Sequence, residues 1–283
     1  MIANLKHALV MSLALGILTP ICTHATDDQI TIQQLQDAAA KGDAQAQREL
    51  GLTYAQGRGI TQNYAQAVQW FEKAATQGDI VAQDSLGFMY LRGLGVSQDK
   101  ALAAKWFQKA ADQGSANAQN SVADMYLNGE NGPVNYEQAA IWFKKSADQG
   151  FHRAQVQLGF LYLFGKGVSH DPATAVLWFT KAAAQNDATA QHVLGLIYME
   201  GKDVAKDNSK GIYWLKKSAD QGFPAALYSL GEYYADGEGV PKDIPRAIEY
   251  YKQALAGDYQ DAQKKLDSLQ KTSTAQTPST TAP

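Results

Sequence analysis

The sequence predicts an all-α chain, an α/α right-handed superhelical solenoid of 36-residue helix-pair repeats. Three observations predict it. Trp70, Trp106, Trp142, Trp178 and Trp214 recur every 36 residues, and Tyr250 occupies the sixth slot. Tyr54, Tyr90, Tyr126, Tyr162, Tyr198 and Tyr234 keep the same period, as do Gly57, Gly93, Gly129, Gly165, Gly201 and Gly237. No stretch alternates at period two for long enough to supply a sheet, so the superposed series point to an array of helical units.

Each unit reads as two helices. In the first, residues 46–56, Ala46, Leu50 and Tyr54 are spaced by four, and Gly57 follows. Gly51 lies inside that helix, and glycine returns at Gly87, Gly159, Gly195 and Gly231, with Ala123 in the third unit. A glycine there costs about 1 kcal/mol against alanine, so its recurrence implies close approach of a neighbouring helix. The second helix, residues 64–76, carries Ala67, Trp70, Phe71, Ala74 and Ala75 at helical spacing. The tryptophans are expected to fill aromatic core sites, each burying about 150–250 Å² once the next pair covers it. Gly57 and Gly59, Gly93 and Gly95, and Gly165 and Gly167 end the first helices and turn the chain. Ile60, Val96, Val168, Val204 and Val240 follow as plugs between helices. Lys73, Lys109, Lys145, Lys181 and Lys217 sit near the ends of the second helices, where a cation meets the helix dipole favourably.

The two ends differ from the array. Lys6 precedes an apolar run over residues 8–21, and Thr23-His24-Ala25 resembles a peptidase site, so residues 1–25 are expected to be a cleaved export signal. The run falls short of the roughly 20 residues that a membrane span needs. Ile21 before Cys22 lacks the small side chain of a lipid-attachment signal. Cys22 is the only cysteine, so a mature chain holds no disulfide and relies on packing. Residues 26–43 are expected to hold an N-terminal capping helix, residues 44–259 six full repeats and residues 260–271 a C-terminal capping helix. Residues 272–283, with two prolines and no large apolar side chain, read as a disordered tail.

Nothing in the pattern assembles a catalytic centre. Lys and Arg number 25 against 28 Asp and Glu, a net charge of −3 that gives no basic face for nucleic acid. His152, His170 and His192 fall at different phases of their units and form no ligand set, so no metal or cofactor is expected. The Gly-x-Gly turns follow helices rather than a strand, unlike a phosphate loop. Ser97–Lys100 and Ser268–Lys271 spell Ser-x-x-Lys, but no Lys-Thr-Gly accompanies them. Asp99, Asp171, Asp207 and Asp243 come one per unit, as acids that brace a turn do, and not as a general acid/base pair.

The fourth unit shows the whole pattern in Ala154, Leu158, Gly159, Tyr162, Gly165, Gly167, Val168, Asp171, Ala175, Trp178, Lys181, Ala182 and Ala183. These residues resemble the Sel1-like repeat, a relative of the tetratricopeptide repeat, over nearly all of the chain after the leader. The resemblance implies an adaptor or scaffold that assembles complexes or regulates a partner, often in the bacterial envelope. Three units depart from the pattern. The third rebuilds its turn as Gly129-Glu130-Asn131-Gly132-Pro133-Val134. The fifth has Asp203 for the second turn glycine and Gly211 for the alanine before Trp214, and the sixth has Tyr250 for tryptophan.

Framework slots are committed to packing, so specificity is expected at slots that vary. One such slot runs Arg48, Asp84, Asn120, Val156, His192, Tyr228, and a second runs Leu52, Phe88, Asp124, Phe160, Leu196, Glu232. The two are four residues apart on each first helix and share one face, which related solenoids turn to the concave side. Phe88, Phe160 and Tyr228 are the expected anchors, and Leu52 is expected on the same partner-binding face. Arg48, Asp84, Asp124, His192 and Glu232 are expected to set polarity and register. The competing reading is that Phe88 and Phe160 complete the core. The function expected is an extracytoplasmic, periplasmic or secreted, scaffold for a protein or peptide partner, with an envelope glycan as the other ligand class. The alternative is an enzyme or enzyme accessory acting on envelope polymer. Neither nucleic acid nor stable membrane insertion after signal cleavage is expected.

Overall fold

A computed structural model describes residues 31–130, 132–202 and 204–275, which form fourteen helices and no strand. The first helix, α1 (Ile32–Ala40), stands alone. Six pairs follow: α2 (Ala44–Gln56) with α3 (Tyr64–Thr76), α4 (Ile80–Arg92) with α5 (Lys100–Asp112), and α6 (Ala116–Asn128) with α7 (Tyr136–Asp148). Then come α8 (His152–Phe164) with α9 (Pro172–Ala184), α10 (Ala188–Glu200) with α11 (Asn208–Ala219), and α12 (Pro224–Asp236) with α13 (Ile244–Ala256). A single helix, α14 (Asp261–Ala275), closes the series. This is the α/α solenoid class of helix-pair repeats that the period predicts. The helix α14 continues four residues into the segment expected to be a tail, ending at Ala275 before the first of its prolines, Pro278. The expected signal peptide and the remainder of the tail lie outside the described residues. No described helix is long and apolar enough to cross a membrane.

Local chemistry sets the boundaries. Asp99 caps α5 by accepting from the Leu102 amide at 2.9 Å, and Asp171, Asp207 and Asp243 cap α9, α11 and α13 in the same way. The recurring acids therefore brace turns, as their spacing suggests. Each of these capping residues also donates its own amide to the carbonyl of the periodic tyrosine, as Asp99 does to Tyr90 at 2.9 Å. Gly93 ends α4 in the left-handed conformation, φ 68°, and donates its amide to Met89. A side chain is disfavoured there, which explains one glycine series.

The described chain forms two units. In the N-terminal body, residues 31–154 with 166–168, the core is built on Phe71, Phe107, Phe143, Leu50 and Leu86. A Cβ on Gly87 would meet the Phe107 ring at 2.5 Å, so the helix glycine is missing its side chain to admit the facing phenylalanine. The C-terminal body, residues 155–165 with 169–275, repeats the arrangement with Phe179, Leu215 and Tyr251 against Gly159, Gly195 and Gly231. In the fifth repeat, Gly195 and Gly211 bring α10 and α11 together, since a Cβ on either would fall 3.0–3.1 Å from the other's carbonyl oxygen.

This corrects the expectation that the tryptophans form the aromatic core. Trp178 is buried, but Trp70, Trp106, Trp142 and Trp214 are only half-buried. Adjacent helical positions point about 100° apart, so when the phenylalanine enters the seam the preceding tryptophan must face its edge. There the Lys73, Lys109, Lys145 and Lys181 ammonium groups lie 3.7–4.1 Å from the Trp70, Trp106, Trp142 and Trp178 rings. The lysine series is thus a stack on the indoles as well as a charge near the helix end. The rebuilt third turn also differs: Val134, displaced by two positions, is 49% exposed, whereas Ile60, Val96, Val168, Val204 and Val240 are half-buried.

Candidate partner-binding surface

The two varying slots lie on the first helices, and each body presents its own part of them. In the N-terminal body Arg48, Leu52, Asp84, Phe88 and Asp124 are all half-buried. Arg48 donates to Asp79 at 3.2 Å and to Glu49 at 2.8 Å, so its guanidinium is already held. Leu52 packs on the cluster around Phe71, and Phe88 packs on the cluster around Phe107 with the Arg92 guanidinium 5.9 Å from its ring centre.

The acids of this body are sheltered. Asn117 donates its side-chain amide to one oxygen of Asp84, and burial pushes the Asp84 carboxyl up to about 6 against that hydrogen bond. Asn120 donates to Asp124 at 2.8 Å. Burial raises Asp124 to about 7, opposed by the Asn120 bond, with smaller effects from Glu130 upward and Arg153 downward. Burial therefore favours the protonated form of both carboxyls.

In the C-terminal body the same slots are mostly closed. Phe160 is 1% exposed, edge-on to Phe179 at 5.1 Å and stacked on Phe164 at 6.0 Å. His192 is 7% exposed, with Nε2 3.1 Å from Ser229 Oγ. Ser229 donates its hydroxyl to the Ala225 carbonyl, so Nε2 must carry the imidazole proton. Burial lowers His192 to about 4, which keeps the ring neutral. Phe160 and His192 therefore present no surface to a partner in this conformation. Tyr228 and Glu232 are half-buried but engaged: Tyr228 donates to Glu232 at 3.2 Å and packs on Tyr259 at 4.8 Å, and Lys265 of α14 reaches Glu232 at 2.9 Å. Burial and the Glu232 charge hold the Tyr228 hydroxyl well above the usual phenol range.

An exposed apolar series that the varying first-helix slots do not include lies on the second helices. Leu177 on α9 and Tyr213 on α11, in the C-terminal body, are 52% and 53% exposed, and Ile141 on α7, in the N-terminal body, is 48% exposed. Each directly precedes a periodic tryptophan, and that phase is the signal that would have found them. Among the described residues, no group of three or more His, Cys, Asp or Glu side chains could hold a metal ion.

Comparison with known proteins agrees with this geometry. The Sel1 repeat profile matches residues 44–79, 80–115, 116–151, 152–187, 188–223 and 224–259. A Sel1 repeat protein from Oxalobacter formigenes is 31% identical, with a TM-score of 0.71 over 78% of this chain and 90% of that one. A protective antigen of uropathogenic Escherichia coli with this type of repeat fold is 34% identical, with a TM-score of 0.49 over 84% of this chain and 59% of that one. An immunity protein from Pseudomonas aeruginosa is 21% identical, with a TM-score of 0.50 over 75% of this chain and 82% of that one. No curated protein matches the sequence.

Proposed function

Because the chain belongs to the Sel1 repeat family, we propose that it is an extracytoplasmic scaffold that recruits or regulates a protein or peptide partner through the first helices of its repeats. The leader-like residues 1–25 support a periplasmic or secreted location. The observation that carries the reading is the N-terminal row of Arg48, Leu52, Asp84, Phe88 and Asp124. Framework-equivalent slots there hold cationic, apolar, acidic and aromatic side chains, all half-buried. A slot that served only packing would exclude charged side chains, as the slot of Phe71, Phe107, Phe143, Phe179, Leu215 and Tyr251 does. Half-buried aromatics among polar groups are the usual makings of an interface hot spot.

A second reading places the partner on the second helices of the C-terminal body, and the exposure of Leu177 and Tyr213 favours it. Capture from envelope extract on the immobilised protein separates the two. Phe88→Ala is expected to lower partner retention about tenfold while melting shifts only a few degrees. Retention that survives Phe88→Ala but fails with Leu177→Ser/Tyr213→Ser assigns the partner to the second helices. A retained species that resists protease and is lost to glycan-degrading enzymes assigns the ligand to the envelope polymer.

A further inference from the structure

In the C-terminal body, α11 turns an aromatic ring set among cations to solvent. Tyr213 is 53% exposed, although its ring already lies edge-on to Trp214 at 5.0 Å. Ser209, Lys210, Lys216 and Lys217 are exposed as well, each three or four residues from Tyr213. Residues at those spacings are neighbours on a helix surface, so three lysines surround the tyrosine within one turn. The Lys217 ammonium lies 6.0 Å from the ring centre. Lys210 shares its charge with Asp207 at 3.4 Å, whereas among the described residues no carboxylate stands within ion-pair distance of Lys216 or Lys217.

The repeat pattern accounts for only part of this face. Lys217 belongs to the lysine series of the second helices. Lys216 stands where the fourth repeat has Thr180 and the second has Gln108, and Lys210 stands where they have Thr174 and Leu102. Packing does not call for a cation at exposed slots that accept uncharged side chains elsewhere. One repeat earlier, α9 presents the same unit of an apolar side chain and a lysine: Leu177, 52% exposed, precedes the exposed Lys181 by four residues.

We propose that this face of α11 is a docking surface for an acidic peptide segment of a partner protein, which lays an apolar side chain on Tyr213 and sets carboxylates against Lys210, Lys216 and Lys217. The chain as a whole carries 25 Lys and Arg against 28 Asp and Glu, so an acidic segment is held only where cations locally outnumber acids. A half-exposed tyrosine among polar groups supplies the apolar contact area of a hot spot. A membrane surface fits less well. A helix lying in a membrane interface inserts several large apolar side chains, and α11 exposes one, with Asp220 on the same face. This surface is separate from the first-helix row. It rests on the reading that places the partner on the second helices of the C-terminal body, and it gives that reading a ligand chemistry.

The test titrates two acetylated, amidated pentapeptides into the isotopically labelled full chain at about pH 7 and low salt. One has leucine between two pairs of glutamates, the other leucine between two pairs of glutamines. The glutamate peptide should shift the backbone amide signals of Ser209, Tyr213 and Asp220 at millimolar concentration, and sodium chloride at about 0.5 M should abolish most of the shift. The glutamine peptide should bind about tenfold more weakly. Lys210→Gln/Lys216→Gln/Lys217→Gln should weaken the response to glutamate about tenfold. Lys41→Gln/Lys100→Gln/Lys105→Gln, the same change of charge in the N-terminal body, should leave it as it is. No shift with the glutamate peptide, equal responses to the two peptides, or equal loss in the two triple variants overturns the acidic-peptide surface. So does a response to phosphatidylglycerol vesicles with none to the glutamate peptide. In any of those events, partner capture that fails with Leu177→Ser/Tyr213→Ser preserves the second-helix reading. Capture that survives that change removes the second-helix reading itself.

Discussion

Gln149, just past the end of α7, donates from Nε2 to Oε1 of Gln119 at 2.7 Å, and Gln119 donates onward to the Ala111 carbonyl at 3.2 Å. Gln119 is buried on α6, so the relay gives both ends of its amide a partner and ties α5, α6 and α7 together. The same glutamine pair recurs at Gln77 with Gln47, Gln113 with Gln83, Gln185 with Gln155 and Gln221 with Gln191. In the sixth repeat Leu227 and Gly257 occupy the two positions, so both amides are absent together and no orphan is left.

Gln119→Leu is expected to cost about 1–2 kcal/mol in urea unfolding, because Gln149 and the Ala111 carbonyl lose an interior partner. A change below about 0.3 kcal/mol would mean that the apolar arrangement of the sixth repeat serves equally well in the third.

Gly87→Ala places a methyl group 2.5 Å from the Phe107 ring. The two helices must separate or the ring must leave its rotamer, and the expected loss is about 1–3 kcal/mol. The reverse change, Ala123→Gly in the third repeat, should cost only about 0.5–1 kcal/mol, the helix penalty of glycine. Equilibrium unfolding of the two variants side by side checks the contrast.

Phe143→Ala should be the more damaging of two neighbouring truncations, costing about 3–5 kcal/mol, because Phe143 is fully buried in the seam. Trp142→Ala should cost about half as much, since its half-buried indole loses mainly edge contacts and the Lys145 stack. The reverse order, measured by denaturant unfolding, would place the tryptophan in the core after all.

The acids at Asp84 and Asp124 give stability an opposite pH dependence from that of a paired carboxylate. Their folded values, about 6 and about 7, lie above the ordinary value of 3.8. The folded state therefore binds more protons between those limits. Their contribution is fully present below about pH 4 and is lost as pH rises through about 6–7. Asp171 and Asp207, which hydrogen bonds from their own helix starts hold below the usual range, titrate with the other sign. The effect must therefore be read as a difference. Asp84→Asn/Asp124→Asn should raise the melting temperature by about 3–6 °C at pH 8 relative to the unmodified chain and leave it almost unchanged at pH 4. An equal shift at both pH values would show that neither acid is protonated more readily in the folded state.

By itself, the sequence determined the architecture of this protein, because a one-dimensional array repeats the same local problem every 36 residues. Each Asp that caps a second helix and each Gly that leaves a first helix recurs at one spacing. Both act within a few bonds of the backbone they brace, so period and residue type suffice to read them. Only the tertiary structure decided which of two adjacent aromatics, Trp142 or Phe143, enters the seam, since both lie on the helix face that the spacing marks as apolar. Burial in the varying slots was equally hidden. Phe88 and Phe160 are one residue type at one slot, yet Phe88 is half-buried and Phe160 is sealed by Phe179 and Phe164. Exposure of a side chain depends on neighbours contributed by other repeats, and a slot's place in the period carries no record of what those neighbours leave open.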